Sequence, residues 1–171
     1  MEYENEITLP KHRIAVLIGH KGETKQRIEN ETGVKIKVNS RTGTAVITRT
    51  DKTDPLLGIK AIDIIRAIAC GFSPEKAFKL LSPNRYLEVV DLEEHSSTRD
   101  LHRIKSRIIG TDGKVRKGIE NSTGTCISVS EKTVGIIGDA EGVRTAKEAV
   151  LKLVEGASHS SVFRFLEKHK R

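Results

Sequence analysis

Apolar residues recur along the chain with the spacing of a helix in some segments and of a strand in others. The order of these segments occurs twice. Residues 14–18 carry the spacing of one face of a short helix, whereas residues 34–38 alternate apolar side chains with lysines, as in a half-buried strand. A second helix between them ends at Gly33, a residue typical of a left-handed helix C-cap. The pattern predicts the order strand, helix, helix, strand, strand, helix in each half of the chain.

The same periodicity predicts the extent of each element. In the first half we expect strands at residues 7–10, 34–38 and 44–48, helices at 14–18 and 23–32, a long helix from Asp54-Pro55 to Gly71, and a short extra helix at 74–81. In the second half we expect strands at 86–92, 126–129 and 134–137, helices at 101–109, 114–123 and 139–155, and a short extra helix at 160–168.

A duplicated segment explains why the two halves share this order. Residues 18–38 match residues 109–129 at ten of 21 positions, and each copy contains a G-x-x-G loop between two predicted helices. The repeat predicts two domains, residues 1–83 and 84–171. Because Ser82-Pro83-Asn84 leaves no flexible linker, we expect the domains to pack together rigidly.

Composition narrows the class of ligand. The chain has 171 residues with 30 Lys and Arg against 23 Asp and Glu, a formal net charge of +7. That charge, together with two glycine loops, favours nucleic acid over small acidic metabolites, and an aromatic content of 4% disfavours a face built from stacked rings. Cys70 and Cys126 lie in apolar surroundings and are predicted to be buried thiols. With no segment apolar enough to span a membrane and no signal peptide, a cytoplasmic location is expected.

The G-x-x-G loops carry the clearest chemistry. Glycine lets a phosphate approach the backbone without a Cβ in the way, and the helix that follows presents free N–H groups and the positive end of its dipole. Neither loop has the G-x-x-x-x-G-K-[ST] spacing of a nucleotide-binding P-loop. The loops therefore predict two sites for a phosphate backbone.

The segment ITLPKHRIAVLIGHKG and the repeated order resemble the K-homology (KH) family of type I topology. The resemblance implies an α+β fold made of tandem type I KH domains, each with the order βααββα and each followed by its short extra helix. It also implies a groove for about four unpaired nucleotides, with the G-x-x-G loop on the sugar-phosphate backbone.

We predict that RNA contacts come from the two loops and the cations beside them. The predicted contacts are Gly19, His20, Lys21, Gly22, Lys25, Arg27, Lys35, Lys37, Arg103, Lys105, Arg107, Gly110, Thr111, Gly113, Lys114, Arg116 and Lys117. Lys11, Arg13 and Arg41 are further cations of the same set.

Two features depart from the family pattern. Asp112 places a carboxylate in the second loop, where it opposes a phosphate, although Lys114, Arg116 and Lys117 offset it. Lys25 and Arg116 occupy the position three residues after the last loop glycine, where the family usually has an aliphatic side chain. They either contact the RNA backbone or project from an exposed helix face.

Catalytic chemistry finds no support in the sequence. The six histidines have no metal-ligand spacing with one another or with the cysteines, and no nucleophile, base and acid are suggested. We therefore expect a binding protein without an enzymatic activity, a cofactor or a metal.

Three further segments resemble one KH subgroup: HRIKSRIIGTDGKVRKGIENSTG, AIACGFSPEKAFKLL and VFRFLEKHKR. They are similar to archaeal members of the partner-of-NOB-one family, two-KH factors of small-subunit ribosome assembly. The resemblance implies binding to the 3′ region of precursor small-subunit ribosomal RNA. It also implies a protein partner on the pre-ribosome, such as a processing endonuclease or a translation factor, and we expect a monomer.

Two alternatives remain open at this stage. One is a protein-interaction scaffold in which one or both KH grooves do not hold RNA, for which Asp112 and the acidic insertion at residues 92–100 are the evidence. The other is binding of single-stranded DNA, which shares the same physics. The recognised RNA sequence and the dominant groove also stay open.

Overall fold

The computed structural model describes residues 1–95 and 98–170, and the chain divides into two compact units, Met1–Pro83 and Asn84–Arg171. Each described unit contains a three-stranded antiparallel sheet with helices packed against it. The element order βααββα, predicted from the periodicity, is confirmed in both units. The α+β class is therefore confirmed.

The first unit places its strands in the order β1, β3, β2, so β1 and β2 each have one free edge. Its elements are β1 (Glu2–Thr8), α1 (Lys11–Ile18), α2 (Glu23–Thr32), β2 (Lys35–Asn39), β3 (Thr44–Thr50), α3 (Pro55–Ala69) and α4 (Pro74–Ala77). A 3-10 turn at Phe78–Leu81 follows α4. The predicted short helix at 74–81 is thus one α-helical turn continued by a 3-10 turn.

Strand β1 begins five residues earlier than the periodicity predicts. Its residues from Glu2 to Glu6 are polar and exposed, and they pair along β3 from Thr50 to Val46. Because both faces of this part of β1 are exposed, it carries no alternation of apolar residues for a sequence pattern to detect.

Helix α3 begins where the sequence predicts. The Asp54 carboxylate accepts a hydrogen bond from the Leu56 N–H at 2.9 Å, and Pro55 fits the first turn because its missing N–H would have no intrahelical partner. Ile64 and Ile65 are fully buried in the core. Lys60, in the same helix, is only 5% exposed, and its ammonium donates to the Ser82 carbonyl at 3.2 Å.

The second unit repeats this architecture with the strand order β4, β6, β5. Its elements are β4 (Tyr86–Asp91), α5 (Leu101–Ile109), α6 (Lys114–Thr123), β5 (Cys126–Val129), β6 (Thr133–Gly138), α7 (Ala140–Val154) and α8 (His159–Lys168). Helix α8 packs on α6 and α7. The insertion predicted at 92–100 contains 3-10 turns at Leu92–Glu94 and Thr98–Asp100, and residues 96 and 97 lie outside the described part.

The two thiols differ in environment. Cys70 is 6% exposed, as predicted, but Cys126 is only partly buried, so the prediction of a buried thiol is wrong there. Cys126 begins the edge strand β5, where its side chain points to the face opposite buried Ile127. Among the described helices, none is long and apolar enough to cross a membrane.

Candidate nucleic-acid interface

The two G-x-x-G loops, residues 19–22 and 110–113, have the same backbone conformation. The first glycine has φ/ψ of 78/176° in one loop and 76/174° in the other, and the last glycine 77/11° and 75/14°. The third residue is left-handed in both, with φ of 54° at Lys21 and 55° at Asp112. A non-glycine residue rarely adopts this conformation, and such strain concentrates at functional sites.

The two glycines of each loop meet different surroundings. A Cβ on Gly19 would come within 2.8 Å of the Thr24 backbone nitrogen, and one on Gly110 within 2.9 Å of the Val115 nitrogen. A Cβ on Gly22, in contrast, would have no atom of the described chain within 4 Å. The first glycine thus lets the loop close on its helix, and the last glycine keeps an open side that a ligand can approach.

The helices behind these loops begin without a side-chain cap. In α3, α4, α7 and α8, the Asp or Ser at the N-cap accepts a hydrogen bond from an N–H of the first turn. Within the described residues, no side chain does this for α2 or α6, whose N-caps are Gly22 and Gly113. The positive ends of these two helices are therefore open to an anion.

The loops differ in charge. His20 and Lys21 are exposed in the first loop, and Thr111 and Asp112 are exposed in the second. Aspartate is one of the few residues enriched at left-handed φ, so the conformation gives Asp112 a structural reason to occupy this position. Its carboxylate nevertheless lies at the loop where a phosphate is expected to approach.

Lys25 and Arg116 each form an ion pair with a glutamate one turn later on their helix. Lys25 Nζ lies 3.3 Å from Glu29 Oε1, and Arg116 Nη1 lies 2.9 Å from Glu120 Oε1. All four side chains are partly buried, with exposed fractions between 17% and 29%. Their predicted contact with RNA would therefore come from an ion pair and not from a free cation.

Arg27 is engaged within the first unit. Its guanidinium lies 3.8 Å from the centroid of the Phe78 ring, and its Nε is 3.3 Å from Glu31. The equivalent contact in the second unit joins Gly118 to Phe163, whose ring lies where a Cβ on Gly118 would be. Residue 27, which the sequence predicts as an RNA contact, and its equivalent Gly118 therefore pack against the extra C-terminal segment of their unit.

Arg107 bonds backbone carbonyls at the end of α7. Its guanidinium donates to the Leu153 carbonyl at 2.6 Å and to the Ala157 carbonyl. Arg13 makes the equivalent bonds in the first unit, to the Ile68 carbonyl at 2.8 Å and the Phe72 carbonyl at 2.6 Å, and burial lowers its pKa. Both arginines thus take part in helix packing, and their predicted contact with phosphate stays a prediction.

The remaining cations divide by position. Lys35 and Lys37 are exposed and lie on the strand face opposite buried Ile36, so they point away from the core of the first unit. Lys114 and Lys117 are exposed on α6, directly behind the second loop. Arg103 is 77% exposed and 3.6 Å from Asp100, and Lys105 on the same helix is partly buried.

Glu29 and Glu120 are not among the residues predicted from the sequence. Each carboxylate binds the cation one turn earlier with one oxygen and accepts a strand N–H with the other, from Ile36 at 2.9 Å and Ile127 at 2.8 Å. Their identity between the two repeats was a usable signal, because an acid repeated within a basic motif indicates a fixed partner. Within residues 1–95 and 98–170, no cluster of three His, Cys, Asp or Glu could hold a metal.

The fold and the paired loops define the chain as a tandem KH protein. A family model described as "Eukaryotic type KH-domain (KH-domain type I)" matches residues 86–171, and a "KH domain" model matches residues 4–53. The chain is 48% identical over 167 residues to the KH domain-containing protein MJ0443 of Methanocaldococcus jannaschii, covering 96% of this chain and 73% of that protein. The chain belongs to the PNO1/Dim2p family of proteins with two type I KH domains.

Two further matches extend this relationship. The "RNA-binding protein pno1" of Dictyostelium discoideum is 28% identical over 166 residues, covering 95% of this chain and 70% of that protein. A chain in the crystal structure of the a/eIF2alpha–aDim2p–rRNA complex from Pyrococcus horikoshii superposes with a TM-score of 0.91 and 47% identity, covering 98% of this chain and 93% of that chain.

Proposed function

We propose that this protein binds single-stranded RNA through both KH units and that its target is the 3′ region of precursor small-subunit ribosomal RNA. The observation that carries the proposal is the pair of loops with one backbone conformation, each with a last glycine that no backbone atom crowds and a helix behind it without a side-chain cap. The names of two relatives support RNA binding: one is called an RNA-binding protein, and another a pre-rRNA-processing protein.

The phosphate backbone docks on the loops, and the bases lie along the free edge of β2 or β5. Backbone N–H groups and Lys21 provide the positive field in the first unit, and Lys114 and Lys117 provide it in the second. The binding role needs no cofactor, metal or reaction. A protein partner of the translation-factor type belongs to the proposal, because the Pyrococcus complex contains a/eIF2alpha.

A salt-dependent anisotropy titration tests the proposal. The probe is the 3′ terminal segment of small-subunit ribosomal RNA, and the comparison probes are a scrambled RNA and the same sequence as DNA. We expect preference for the true RNA and a log–log salt slope of about −0.7 for each phosphate neutralised. Equal, salt-sensitive binding to all three probes would contradict the proposal and favour a scaffold whose specificity comes from its protein partner.

Charge reversal in the first loop separates loop contacts from general attraction. His20→Asp and Lys21→Asp place an anion where a phosphate docks, so each is expected to weaken RNA binding by about 2 kcal/mol. Lys52→Asp is the matched control, because the neighbouring Thr53 lies against Gly33 at the far end of the ten-residue helix α2. An equal loss in the control variant would place the contacts outside the loop.

A further inference from the structure

An ion pair on the loop-led helix occurs at equivalent positions in both units. Lys25 and Glu29 form it in α2, and Arg116 and Glu120 form it in α6, 91 positions later. The carboxylates are the least exposed members, at 24% and 17%. Exposed ion pairs at this spacing are common and contribute little to stability. A pair that is partly buried in both units indicates a further contact that holds the carboxylate in place.

That contact is to an edge strand, β2 in the first unit and β5 in the second. Glu29 Oε2 accepts the Ile36 N–H at 2.9 Å, and Ile36 belongs to β2, which pairs with β3 along one edge. Because an N–H points to one side of its strand, the Ile36 N–H points away from β3, toward α2. Glu120 holds the Ile127 N–H of β5 in the same way, at 2.8 Å. Each carboxylate therefore lies between the loop-led helix and the free edge of the strand.

Hydrogen-bonding capacity remains at this place. An ionised carboxylate offers about four lone-pair sites, and these contacts use two of them. The ammonium of Lys25 has three donors and the guanidinium of Arg116 five, of which the contacts to Glu29 and Glu120 use one each. The helix that follows each loop thus presents an acceptor beside a donor, next to the free edge of its strand.

We propose that Glu29 and Glu120 determine base specificity in the two grooves by favouring bases with an exocyclic amino group over uracil. This inference rests on the proposed RNA binding. An amino group of cytosine, adenine or guanine donates to the carboxylate, and the ring nitrogen acceptor beside it accepts from the cation. Uracil has one ring N–H between two carbonyl oxygens, and these oxygens face the carboxylate when that N–H approaches it.

A single-uridine scan of the target RNA tests the proposal in the full-length protein. Each non-uridine base of the 3′ segment is changed to uridine in turn, and binding is measured by anisotropy. In the wild type we expect at least one position for each groove at which uridine weakens binding about tenfold. Glu29→Gln should reduce that penalty to less than about twofold at one position, and Glu120→Gln at another.

Glutamine is chosen because it separates recognition from folding. Its amide oxygen still accepts the strand N–H, so the melting temperature is expected to change little, and its NH₂ group donates to a uracil carbonyl. Glu31→Gln is the matched control: Glu31 is also on α2 and also pairs with a cation four residues earlier, Arg27, but its side chain is 40% exposed. It should leave the scan unchanged.

The outcomes are distinguishable. A scan that Glu29→Gln and Glu120→Gln leave unaltered, with tight and selective RNA binding intact, overturns the specificity role and leaves the proposed function standing. A wild type that does not prefer the target RNA overturns both. An effect of Glu31→Gln equal to that of Glu29→Gln assigns the change to net charge and also overturns the role.

Discussion

At the scale of single residues, the two glycines of a loop have separate tasks. Gly110→Ala adds a Cβ to a left-handed residue and places it 2.9 Å from the Val115 nitrogen, so it should cost about 3 kcal/mol of unfolding free energy. Gly113→Ala has a smaller backbone cost, because Gly113 is in the αL region and Gly110, with ψ of 174°, is in a region that glycine alone adopts readily; its Cβ meets only side-chain ends at 3.7 Å and beyond. It should cost only about 1–2 kcal/mol of stability while weakening RNA binding. Urea unfolding and RNA titration of both variants check the ranking, and equal stability losses would contradict it.

Asp112 combines a favourable conformation with an unfavourable charge. Asn shares the tolerance of aspartate for left-handed φ, so Asp112→Asn should keep the loop and remove the anion. We expect RNA to bind about five- to tenfold more tightly at low salt, with the gain fading as salt screens the charge. Unchanged affinity at low salt would mean that the second loop does not meet a phosphate.

Asp63 predicts a pH dependence of stability. Burial raises the pKa of its carboxyl above the usual 3.8, opposed by Arg66 and Lys60. A raised folded pKa means that the protonated form is favoured on folding, so this contribution is complete below pH 3.8 and is lost as pH rises through the folded value. Asp63→Asn, which stays neutral, should therefore gain stability relative to the wild type between about pH 3 and pH 7. Chemical unfolding at both pH values measures the change, and a relative loss on raising the pH would contradict it.

At the scale of elements, one arginine ties the first helix of each unit to the end of its long helix. The acceptors are equivalent, since Ile68 and Phe72 match Leu153 and Ala157 at an offset of 85. The donors are not, because Arg107 aligns with residue 16, three positions after Arg13. Residues three apart share a helix face, so both donors reach the same carbonyls.

Arg107→Ala is expected to remove the charged donor from both carbonyls, leaving the Leu153 carbonyl its backbone partner, the Gly156 N–H at 3.2 Å, and to lower the unfolding free energy by about 2–3 kcal/mol. Arg103→Ala, on the same helix, removes a side chain that is 77% exposed and should change stability by less than about 0.5 kcal/mol. Thermal and urea unfolding compare the two variants. Equal effects would contradict the packing role of Arg107.

How much the sequence predicts differs between elements and side chains. The bounds of α5, α6 and β5 follow from periodicity, caps and glycines, and the structure agrees with them. The partners of Arg107 lie 46 and 50 residues away, and no local pattern encodes them. The repeat located the two loops but gave no sign that Arg27 covers Phe78, because that contact depends on where the extra element packs.

At the scale of the whole molecule, the division between Pro83 and Asn84 raises the question of whether a unit folds alone. The second unit has its own apolar core: buried side chains from β4 to α8 form one cluster, in which Leu92, Ile108 and Ile136 are fully buried. A core contained in one unit supports a cooperative transition of that unit. We therefore expect residues 84–171, produced alone, to unfold in a single transition seen by circular dichroism and to give dispersed amide NMR signals.

The same fragment tests whether the two units share the RNA. It keeps one loop, so its log–log salt slope should be about half that of the full chain, because the slope counts the phosphates neutralised. Its affinity should fall by far more than half, since two linked sites multiply their binding constants. Gly113→Ala in the fragment serves as the control for binding through the remaining loop. A fragment with the slope and affinity of the full chain would show that the first unit takes no part in holding RNA, whatever the conformation of its loop.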